Sequence, residues 1–253
     1  MFTADDHRHM AEALRLAERG RRTATPNPRV GCVITRDGEV VGRGWHERAG
    51  GPHAEVLALA EAGDRARGAN LYLTLEPCAH HGRTPPCAEA LVRSGVARVV
   101  AAMQDPNPLV AGKGFSIVRA AGIEVQSGLL EAEARELNLG FVSRMTRGRP
   151  WVRLKLAASL DGRTALANGK SQWITAEAAR RDAHRLRAEA CAVLTGIGTV
   201  RDDDPRLTVR GVATSRQPAR VVVDSRLETP PDAKVLEGGA LVFCAVGDGA
   251  TSA

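Results

Sequence analysis

The chain has 253 residues, of which 43% are hydrophobic and 25% charged, as is typical of a soluble globular protein. Its 35 Lys and Arg against 29 Asp and Glu give a net charge of +6, and no apolar run is long enough to cross a bilayer. Aromatic residues make up only 3%, too few for an obvious base-stacking surface, so we expect neither a nucleic-acid partner nor a membrane. The N-terminal MFTADDHRHM has no apolar segment typical of a signal peptide, so we expect a cytoplasmic protein.

Strand and helix patterns alternate along the first part of the chain. Thr3 can cap a first helix, and RVGCVITRDGEVVGRGWH predicts two strands joined through Asp37-Gly38. PHAEVLALAEAG predicts a helix with Pro52 at its first position, and ANLYLTL predicts a strand. A cysteine-containing loop, a helix beginning near Pro85, the strand ARVVAAM and the helix EAEARELNLGFVSRM follow. This alternation predicts an α/β layered sandwich.

A polar stretch with Gly and Pro, TRGRPW at 146–151, predicts a domain boundary, so we expect domains over residues 1–147 and 148–253. In the second domain WVRLKLAAS predicts a buried strand, and TAEAARRDAHRLRAEA predicts a helix capped by Thr175. CAVLTGIG, RVVVD and ALVFCAV predict further strands. The second domain is therefore also expected to be of the α/β class.

The five cysteines fall into two groups. Cys32, Cys191 and Cys244 lie in apolar surroundings, where we expect buried thiols. Cys78 and Cys87 instead lie among Pro, Gly and His residues. An odd number of cysteines in a cytosolic chain argues against a disulfide framework, so this second pair requires another explanation.

A catalytic zinc ion takes three protein ligands and leaves one position open, and His53, Cys78 and Cys87 supply one nitrogen and two thiolates. Glu55, two residues after His53, can act as a proton shuttle without being a ligand. This order of residues is the signature of zinc-dependent base deaminases. A structural zinc site, with His80 or His81 as fourth ligand, is the alternative.

The residues before Cys87 favour its thiolate form. Thr84 is a good N-cap and Pro85 a good first residue of a helix, so we expect Cys87 near the third helical position. There it would face unpaired backbone N–H groups and the positive end of the helix dipole.

Eight residues, AHHGRTPP, separate the two zinc-site cysteines, and this spacing makes a family recognisable. The sequence resembles the bifunctional riboflavin-biosynthesis deaminase/reductases of bacteria in TPNPRVGCVI, GWHERAGGPHAE, LEPCAHHGRTPPC, AAMQDPNPLVAGKG, LKLAASLDGRTA, SQWIT and DDPRLTVR. The resemblance implies a cytidine-deaminase-like αβα sandwich followed by a dihydrofolate-reductase-like α/β domain. It implies hydrolytic deamination of 2,5-diamino-6-(phosphoribosylamino)pyrimidin-4-one, and then reduction of its ribosyl group to ribityl by NADPH. It further implies a homo-oligomer.

The resemblance also assigns residues. Zinc ligands would be His53, Cys78 and Cys87, the proton shuttle Glu55, and substrate contacts of the deaminase Asn27, His80 and His81. NADPH would contact Ala157, Trp173, Thr199, Asp203 and Ser225. The phosphorylated substrate of the reductase would contact Ser171, Arg187, Leu207 and Arg210. The residue types of Arg187 and Arg210 suit this role because guanidinium groups pair well with phosphate.

The stretch that matches the reductase stops after ALVFCAV, so we expect an incomplete, C-terminally truncated reductase domain with an exposed edge strand. Two alternatives to the deaminase/reductase remain. One is another zinc-dependent nucleobase or nucleoside deaminase, and the other is a zinc-stabilised scaffold without catalytic activity.

Overall fold

A mixed five-stranded sheet forms the centre of the first part of the chain. The computed structural model describes residues 1–79 and 86–245. The strands are β1 Gly31–Arg36, β2 Glu39–Trp45, β3 Asn70–Leu73, β4 Arg98–Ala101 and β5 Glu124–Ser127. Their order is β2-β1-β3-β4-β5, and β1 is antiparallel to both of its neighbours while β3, β4 and β5 are parallel. Asp37 and Gly38 join β1 and β2 with φ of 52° and 83°, which confirms the predicted tight turn.

Within the described residues, six α-helices cover the two faces of this sheet. They are α1 Ala4–Glu18, α2 Ala54–Ala62, α3 Cys87–Ser94, α4 Lys113–Ala120, α5 Glu131–Leu137 and α6 Leu139–Arg147. Thr3 caps α1 as predicted, since its hydroxyl accepts from the Asp6 amide and the Asp6 carboxylate accepts from the Thr3 amide. None of the helices in the described part of the chain is long and apolar enough to cross a membrane.

Strand residues alternate between two separate hydrophobic cores. In β3, Leu71 and Leu73 pack with α2, α3 and α4, whereas Tyr72 between them packs with α1 and α5. Val99 and Val100 of β4 divide in the same way. Because successive side chains point to opposite faces of a strand, apolar residues on both faces require helices on both sides. The predicted αβα sandwich is thus confirmed for this part of the chain.

Glycines bring the helices directly onto the hairpin backbone. A Cβ at Gly44 would lie 2.2 Å from the Ala54 carbonyl oxygen, and one at Gly31 would lie 2.0 Å from the Ala13 carbonyl oxygen. No other residue allows this approach of backbone to backbone. Gly44 therefore fixes the position of the first turn of α2 against β2.

The chain divides into two compact units, Met1–Val152 and Arg153–Ala253. The second unit contains α7 Glu177–Glu189, β6 Ala192–Gly196, α8 Ile197–Asp203, β7 Ala219–Val223 and β8 Leu241–Phe243. Its three strands are parallel in the order β6-β7-β8. Its core is small and is formed by Val200, Leu207, Val222, Ala233 and Val235. The functional domain limits 1–147 and 148–253 remain a prediction.

Two predictions for the second predicted domain, residues 148–253, are wrong. WVRLKLAAS does not form a strand, and Val152, Leu154 and Leu156 are largely exposed, since no strand in the described part of the chain pairs with this segment. Thr175 does not cap α7, which has Ala176 at its N-cap and no side-chain cap. The Thr175 carbonyl instead accepts a hydrogen bond from Arg180.

The single helix predicted over EAEARELNLGFVSRM divides into α5 and α6 at Asn138. The Asn138 side chain accepts from the Arg29 amide at 2.8 Å and donates to the Arg29 carbonyl at 3.0 Å. The Asn138 backbone, with φ −117° and ψ 22°, departs from helical values. The tertiary contact therefore prevails over local helix propensity.

Cys32 is buried as predicted, but Cys191 and Cys244 are exposed. Cys191 precedes the edge strand β6, and Cys244 follows the other edge strand, β8. At the edges of a small sheet an apolar sequence does not ensure burial, because each edge has a neighbouring strand on one side only.

Candidate metal centre

Three side chains with metal-ligand chemistry converge where the sheet meets α2 and α3. His53 is the N-cap residue of α2, Cys78 lies in the loop after β3, and Cys87 is the first residue of α3. Cys87 is buried, and the other two side chains are half-buried. The fold thus brings together residues that are 34 positions apart in sequence.

The spacing of these three groups fits a tetrahedral zinc ion. The His53 Nδ1 atom lies 3.1 Å from the Cys87 sulfur and 3.6 Å from the Cys78 sulfur, and all three ligand atoms lie within 4.8 Å of one another. Zn–S and Zn–N bonds of about 2.3 and 2.05 Å place tetrahedral N and S ligands about 3.6 Å apart. Among the described residues these three form the one group that could hold a metal ion. His80 and His81, the alternative fourth ligands, lie outside the described residues.

The start of α3 stabilises a thiolate on Cys78. The Cys87 backbone N–H donates to the Cys78 sulfur at 3.2 Å, and the Ala88 N–H donates to the Cys78 carbonyl at 3.1 Å. Hydrogen bonding from Cys87 lowers the pKa of the Cys78 thiol against the opposing effect of burial. Sharing that hydrogen bond, together with burial, raises the pKa of Cys87.

The expected position of Cys87 in its helix needs correction. Pro86 is the N-cap and Cys87 the first helical residue, not the third, while Thr84 and Pro85 lie outside the described residues. The N–H groups of Cys87 and Ala88 at the start of α3 instead bind Cys78, through its sulfur and its carbonyl oxygen. The thiolate predicted for Cys87 is therefore wrong, because the pKa of Cys87 is raised while the start of α3 lowers that of Cys78.

Glu55 lies in the first turn of α2, two residues from His53, and only 3% of its surface is exposed. Burial raises the pKa of its carboxyl group to about 7, against opposing hydrogen bonding and the charge of His53. A carboxyl group with such a pKa can accept and return protons near neutral pH. It is therefore placed for proton transfer beside the candidate metal ligands.

His46 belongs to this site and was not singled out by the sequence analysis. Its ring meets the His53 ring edge to face, with the centroids 5.5 Å apart. Its Nδ1 donates to the Pro52 carbonyl at 3.0 Å, which leaves Nε2 to accept from the Asn27 amide at 3.0 Å. Burial lowers the pKa of His46, which favours the neutral ring. His46 lies in GWHERAGGPHAE, one of the stretches that carry the family resemblance, but no metal-ligand spacing singled it out within that stretch.

The N-cap position of His53 follows from this local sequence. Pro52 lies just before His53, not at the first helical position as predicted, and α2 begins at Ala54. Proline fixes the extended chain that leads into the helix, and its carbonyl is the acceptor for His46. His46 and Pro52 together hold the backbone from which the His53 side chain extends.

In the second unit the predicted residues form two contacts. The Ser171 hydroxyl donates to the Asp203 carboxylate at 3.2 Å. Arg187 and Arg210 both bind Thr208, through its carbonyl at 2.7 Å and its hydroxyl at 3.0 Å, respectively. Burial, and then the charge of Arg210, lowers the pKa of Arg187. Two guanidinium groups that lie this close together form an environment suited to an anion.

The other predicted residues of this unit do not join these contacts. Leu207 is buried in the small core, and Trp173 is 71% exposed with the Arg180 guanidinium 4.5 Å from its ring centroid. Thr199 and Ser225 are exposed, and Ala157 is half-buried. Within the described residues, none of these five forms a hydrogen bond or ion pair with Ser171 or Arg187.

Two protein-family models match the sequence, one in its N-terminal and one in its C-terminal part. The family model for the cytidine and deoxycytidylate deaminase zinc-binding region matches residues 3–103. The family model for the RibD C-terminal domain matches residues 150–248. These matches confirm the predicted fold class, a deaminase-like unit followed by a reductase-like α/β unit.

Curated proteins match over nearly the whole chain. Riboflavin biosynthesis protein RibD of Escherichia coli is 55% identical over 244 residues, which cover 92% of this chain and 66% of that protein. RibD of Buchnera aphidicola is 44% identical over 249 residues, which cover 93% and 67%. The chain thus spans about two thirds of the length of these relatives.

Solved structures agree with these matches. Acinetobacter baumannii RibD aligns with a TM-score of 0.91 and 53% identity, over 95% of this chain and 69% of that chain. A diaminohydroxyphosphoribosylaminopyrimidine deaminase/5-amino-6-(5-phosphoribosylamino)uracil reductase of Thermotoga maritima aligns with a TM-score of 0.91 and 40% identity, over 98% and 72%.

Proposed function

Because this chain belongs to the RibD family of riboflavin biosynthesis, whose members are zinc-dependent deaminases fused to reductases, we propose that its first unit is a pyrimidine deaminase. Its substrate would be 2,5-diamino-6-(phosphoribosylamino)pyrimidin-4-one. The convergence of His53, Cys78 and Cys87 beside the buried Glu55 is the observation that carries this proposal.

His53 Nδ1 and the sulfurs of Cys78 and Cys87 would hold the zinc ion. Zinc supplies Lewis acidity, which makes water a nucleophile near neutral pH. Hydrolysis breaks the bond from ring carbon to the 2-amino nitrogen and forms a carbon–oxygen bond, and ammonia leaves. Glu55 would accept a proton from the attacking water and donate it to the departing amine.

His46 would keep His53 in a defined orientation. Its bond to the Pro52 carbonyl fixes the chain just before His53, and its edge packs against the His53 ring. Asn27 would hold the other nitrogen of His46. The Asn27–His46 hydrogen bond supports a substrate-binding role for Asn27, since an amide that is held in place can form hydrogen bonds with the edge of a pyrimidine.

For the second unit we propose NADPH-dependent reduction of the ribosyl group. The paired guanidinium groups of Arg187 and Arg210 support phosphate binding, with Ser171 as a further donor. Ala157, Trp173, Thr199, Asp203 and Ser225 are proposed as NADPH contacts on the family resemblance.

Mass spectrometry of the pyrimidine phosphate after incubation with this chain, zinc and NADPH tests both steps. A deaminated and reduced product is the result expected if both units work. A deaminated but unreduced product would refute the reductase proposal for this chain alone. An unchanged pyrimidine, with cytidine or deoxycytidylate deaminated instead, would replace the proposed substrate by a nucleoside or nucleotide.

Assembly and location are further proposals. We expect a homo-oligomer, supported by the apolar side chains of Leu194, Leu241 and Phe243, each more than half exposed on the second-unit sheet. Light scattering after size-exclusion chromatography would measure the mass, and a monomer at micromolar concentration would contradict it. The cytoplasmic location is proposed because the family acts in the synthesis of a soluble metabolite, and fractionation of cells would test it.

A further inference from the structure

Glu76 is a buried carboxylate surrounded by backbone amides. It is 3% exposed, and its two oxygens accept four hydrogen bonds from main-chain N–H groups. One oxygen accepts from Asp105 at 3.1 Å and Gly112 at 2.9 Å, and the other from Gly114 at 2.9 Å and Phe115 at 3.3 Å. Three of these amides belong to the N-cap and first residues of α4. The helix start thus offers free N–H groups and a favourable dipole to the carboxylate.

The segment after Glu76 leads directly to a candidate metal ligand. Pro77 and Cys78 are the next two residues, and the Pro77 carbonyl oxygen lies where a Cβ on Gly114 would come within 1.9 Å. Cys78 is held on its other side by the amides of Cys87 and Ala88. The loop therefore lies between the starts of two helices, with Glu76 bound to α4 and Cys78 bound to α3.

We propose that Glu76 is a positioning residue of the metal centre, which fixes Cys78 at ligand distance by anchoring its loop to the start of α4. This inference rests on the proposed zinc site. Glu76 does not touch the ligand atoms, and it acts through the rigid Pro77 and the close contact of that residue with Gly114. Side chains that orient metal ligands typically contribute a factor of about 10 to 100 to metal affinity.

Four backbone N–H donors converge on the Glu76 side chain, and only a carboxylate offers an acceptor oxygen to each pair of them. Both oxygens of Glu76 act as acceptors, and each accepts two N–H groups. A glutamine would present an NH₂ group to one of these two pairs, so that donor would face donor. Glu76→Gln should therefore move the loop with almost no change in side-chain volume.

The test measures zinc affinity by competition with a chromophoric chelator, for the unchanged chain and for Glu76→Gln. We expect about a 10- to 100-fold weaker affinity in the variant. Asp6→Asn is the matched control, since Asp6 is 2% exposed and binds Tyr72 and Arg98 rather than any residue of the metal centre. It should lower stability and leave zinc affinity unchanged.

The outcomes separate the two proposals. Equal zinc affinity of the unchanged chain and Glu76→Gln would overturn the positioning role alone. Equal losses in Glu76→Gln and Asp6→Asn would also overturn it, because the loss would then follow general destabilisation. An unchanged chain that binds no zinc would overturn the zinc site, and with it this inference.

A measurement on the unchanged chain covers the case in which Glu76→Gln does not fold. Coupling is reciprocal, so if the Glu76 contacts favour zinc binding, bound zinc must stabilise them equally. Removal of zinc should therefore speed hydrogen exchange of the Gly112, Gly114 and Phe115 amides about tenfold or more. The Arg29 amide, which Asn138 binds, should change much less. Exchange rates of the Gly112, Gly114 and Phe115 amides that do not change when zinc is removed would overturn the positioning role.

Discussion

The two units differ in how completely they enclose the groups they would use. In the first unit, helices cover both faces of a five-stranded sheet, and the candidate ligands lie at the starts of two of these helices and in the loop after β3. In the second unit three strands support a core of a few residues, while Leu194, Leu241 and Phe243 are mostly exposed. Because neighbouring side chains hold a residue in one orientation, we expect the candidate residues of the first unit to be held more firmly than those of the second.

This contrast teaches that similar sequence evidence can have unequal structural support. Family resemblance assigned residues in both units. The structure brings all three metal-ligand candidates of the first unit within 4.8 Å of one another. In the second unit it brings together Arg187 and Arg210 at Thr208, and Ser171 and Asp203. The remaining candidates there share no such contact among the described residues.

The largest expected effect is on ammonia release. Glu55→Gln removes the proton shuttle, so the rate should fall about 10²- to 10⁴-fold. Zinc content should stay at that of the unchanged chain, because Glu55 is not a ligand. Glu61→Gln, on the exposed side of the same helix, is the control and should keep nearly full activity. Full activity of Glu55→Gln would instead support a zinc-stabilised scaffold or a different proton donor.

A smaller effect is expected in the second unit, and it would sharpen the contrast between the units. Arg210→Ala should weaken binding of the deaminated pyrimidine phosphate about 10- to 100-fold, since a hydrogen bond to a charged group contributes about 1.5–3 kcal/mol. Ammonia release should not change. Arg181→Ala, at an exposed arginine paired with Glu177 on α7, should affect neither quantity. Calorimetric titration measures the affinity, and equal binding by all three chains would exclude Arg210 from the phosphate site.

The backbone contact between β2 and α2 should contribute to the stability of the first unit, by a free energy similar to or smaller than that expected for the Arg210 contact. Gly44→Ala places a Cβ 2.2 Å from the Ala54 carbonyl oxygen and should lower the free energy of unfolding of the first unit by about 1–3 kcal/mol. Gly140→Ala, where nothing lies within 4 Å, should be neutral or slightly stabilising. Urea denaturation measures both variants. If Gly44→Ala leaves the free energy of unfolding unchanged, α2 can move away from β2 without loss of stability.

The last effect appears only in acid. Burial alone would raise the pKa of Asp6, but hydrogen bonds from Arg98, Thr3 and Tyr72 outweigh it and hold the pKa well below its usual range. A carboxyl group whose pKa is lower in the folded than in the unfolded chain stabilises the fold at pH values above its unfolded-state pKa of about 3.9. This stabilisation is lost as the pH falls below that value. The first unit should lose up to about 1.4 kcal/mol per pH unit below pH 4 through this group.

The Asp6→Asn variant provides the comparison for that acid effect. The difference in unfolding free energy between the unchanged chain and Asp6→Asn should shrink between pH 4 and pH 2, as the carboxylate becomes protonated. Urea denaturation at several pH values measures this difference. A difference that stays constant over that range would contradict the assigned pKa direction.

Local patterns predicted much of the first unit and less of the second. Thr3, the Asp37-Gly38 turn and the His53–Glu55 pair each carry their information in a few neighbouring residues, and the structure has them as expected. Asn138 and His46 act through residues distant in sequence or through backbone carbonyls, which no local pattern reveals. WVRLKLAAS has the alternation of a strand, but a strand also needs a neighbour with which to pair.

The ligand spacing has a consequence for folding. His53 and Cys87 are 34 residues apart, and the polypeptide between them contains a helix, a strand and the loop of Cys78. An ion bound at both ends would close this stretch into a ring in the folded chain only, because the ligands converge only there, and its binding free energy would add to the free energy of folding. Unlike a disulfide, such a cross-link is opened by chelation rather than by reduction. The resistance of this segment to proteolysis would therefore depend on the availability of the metal.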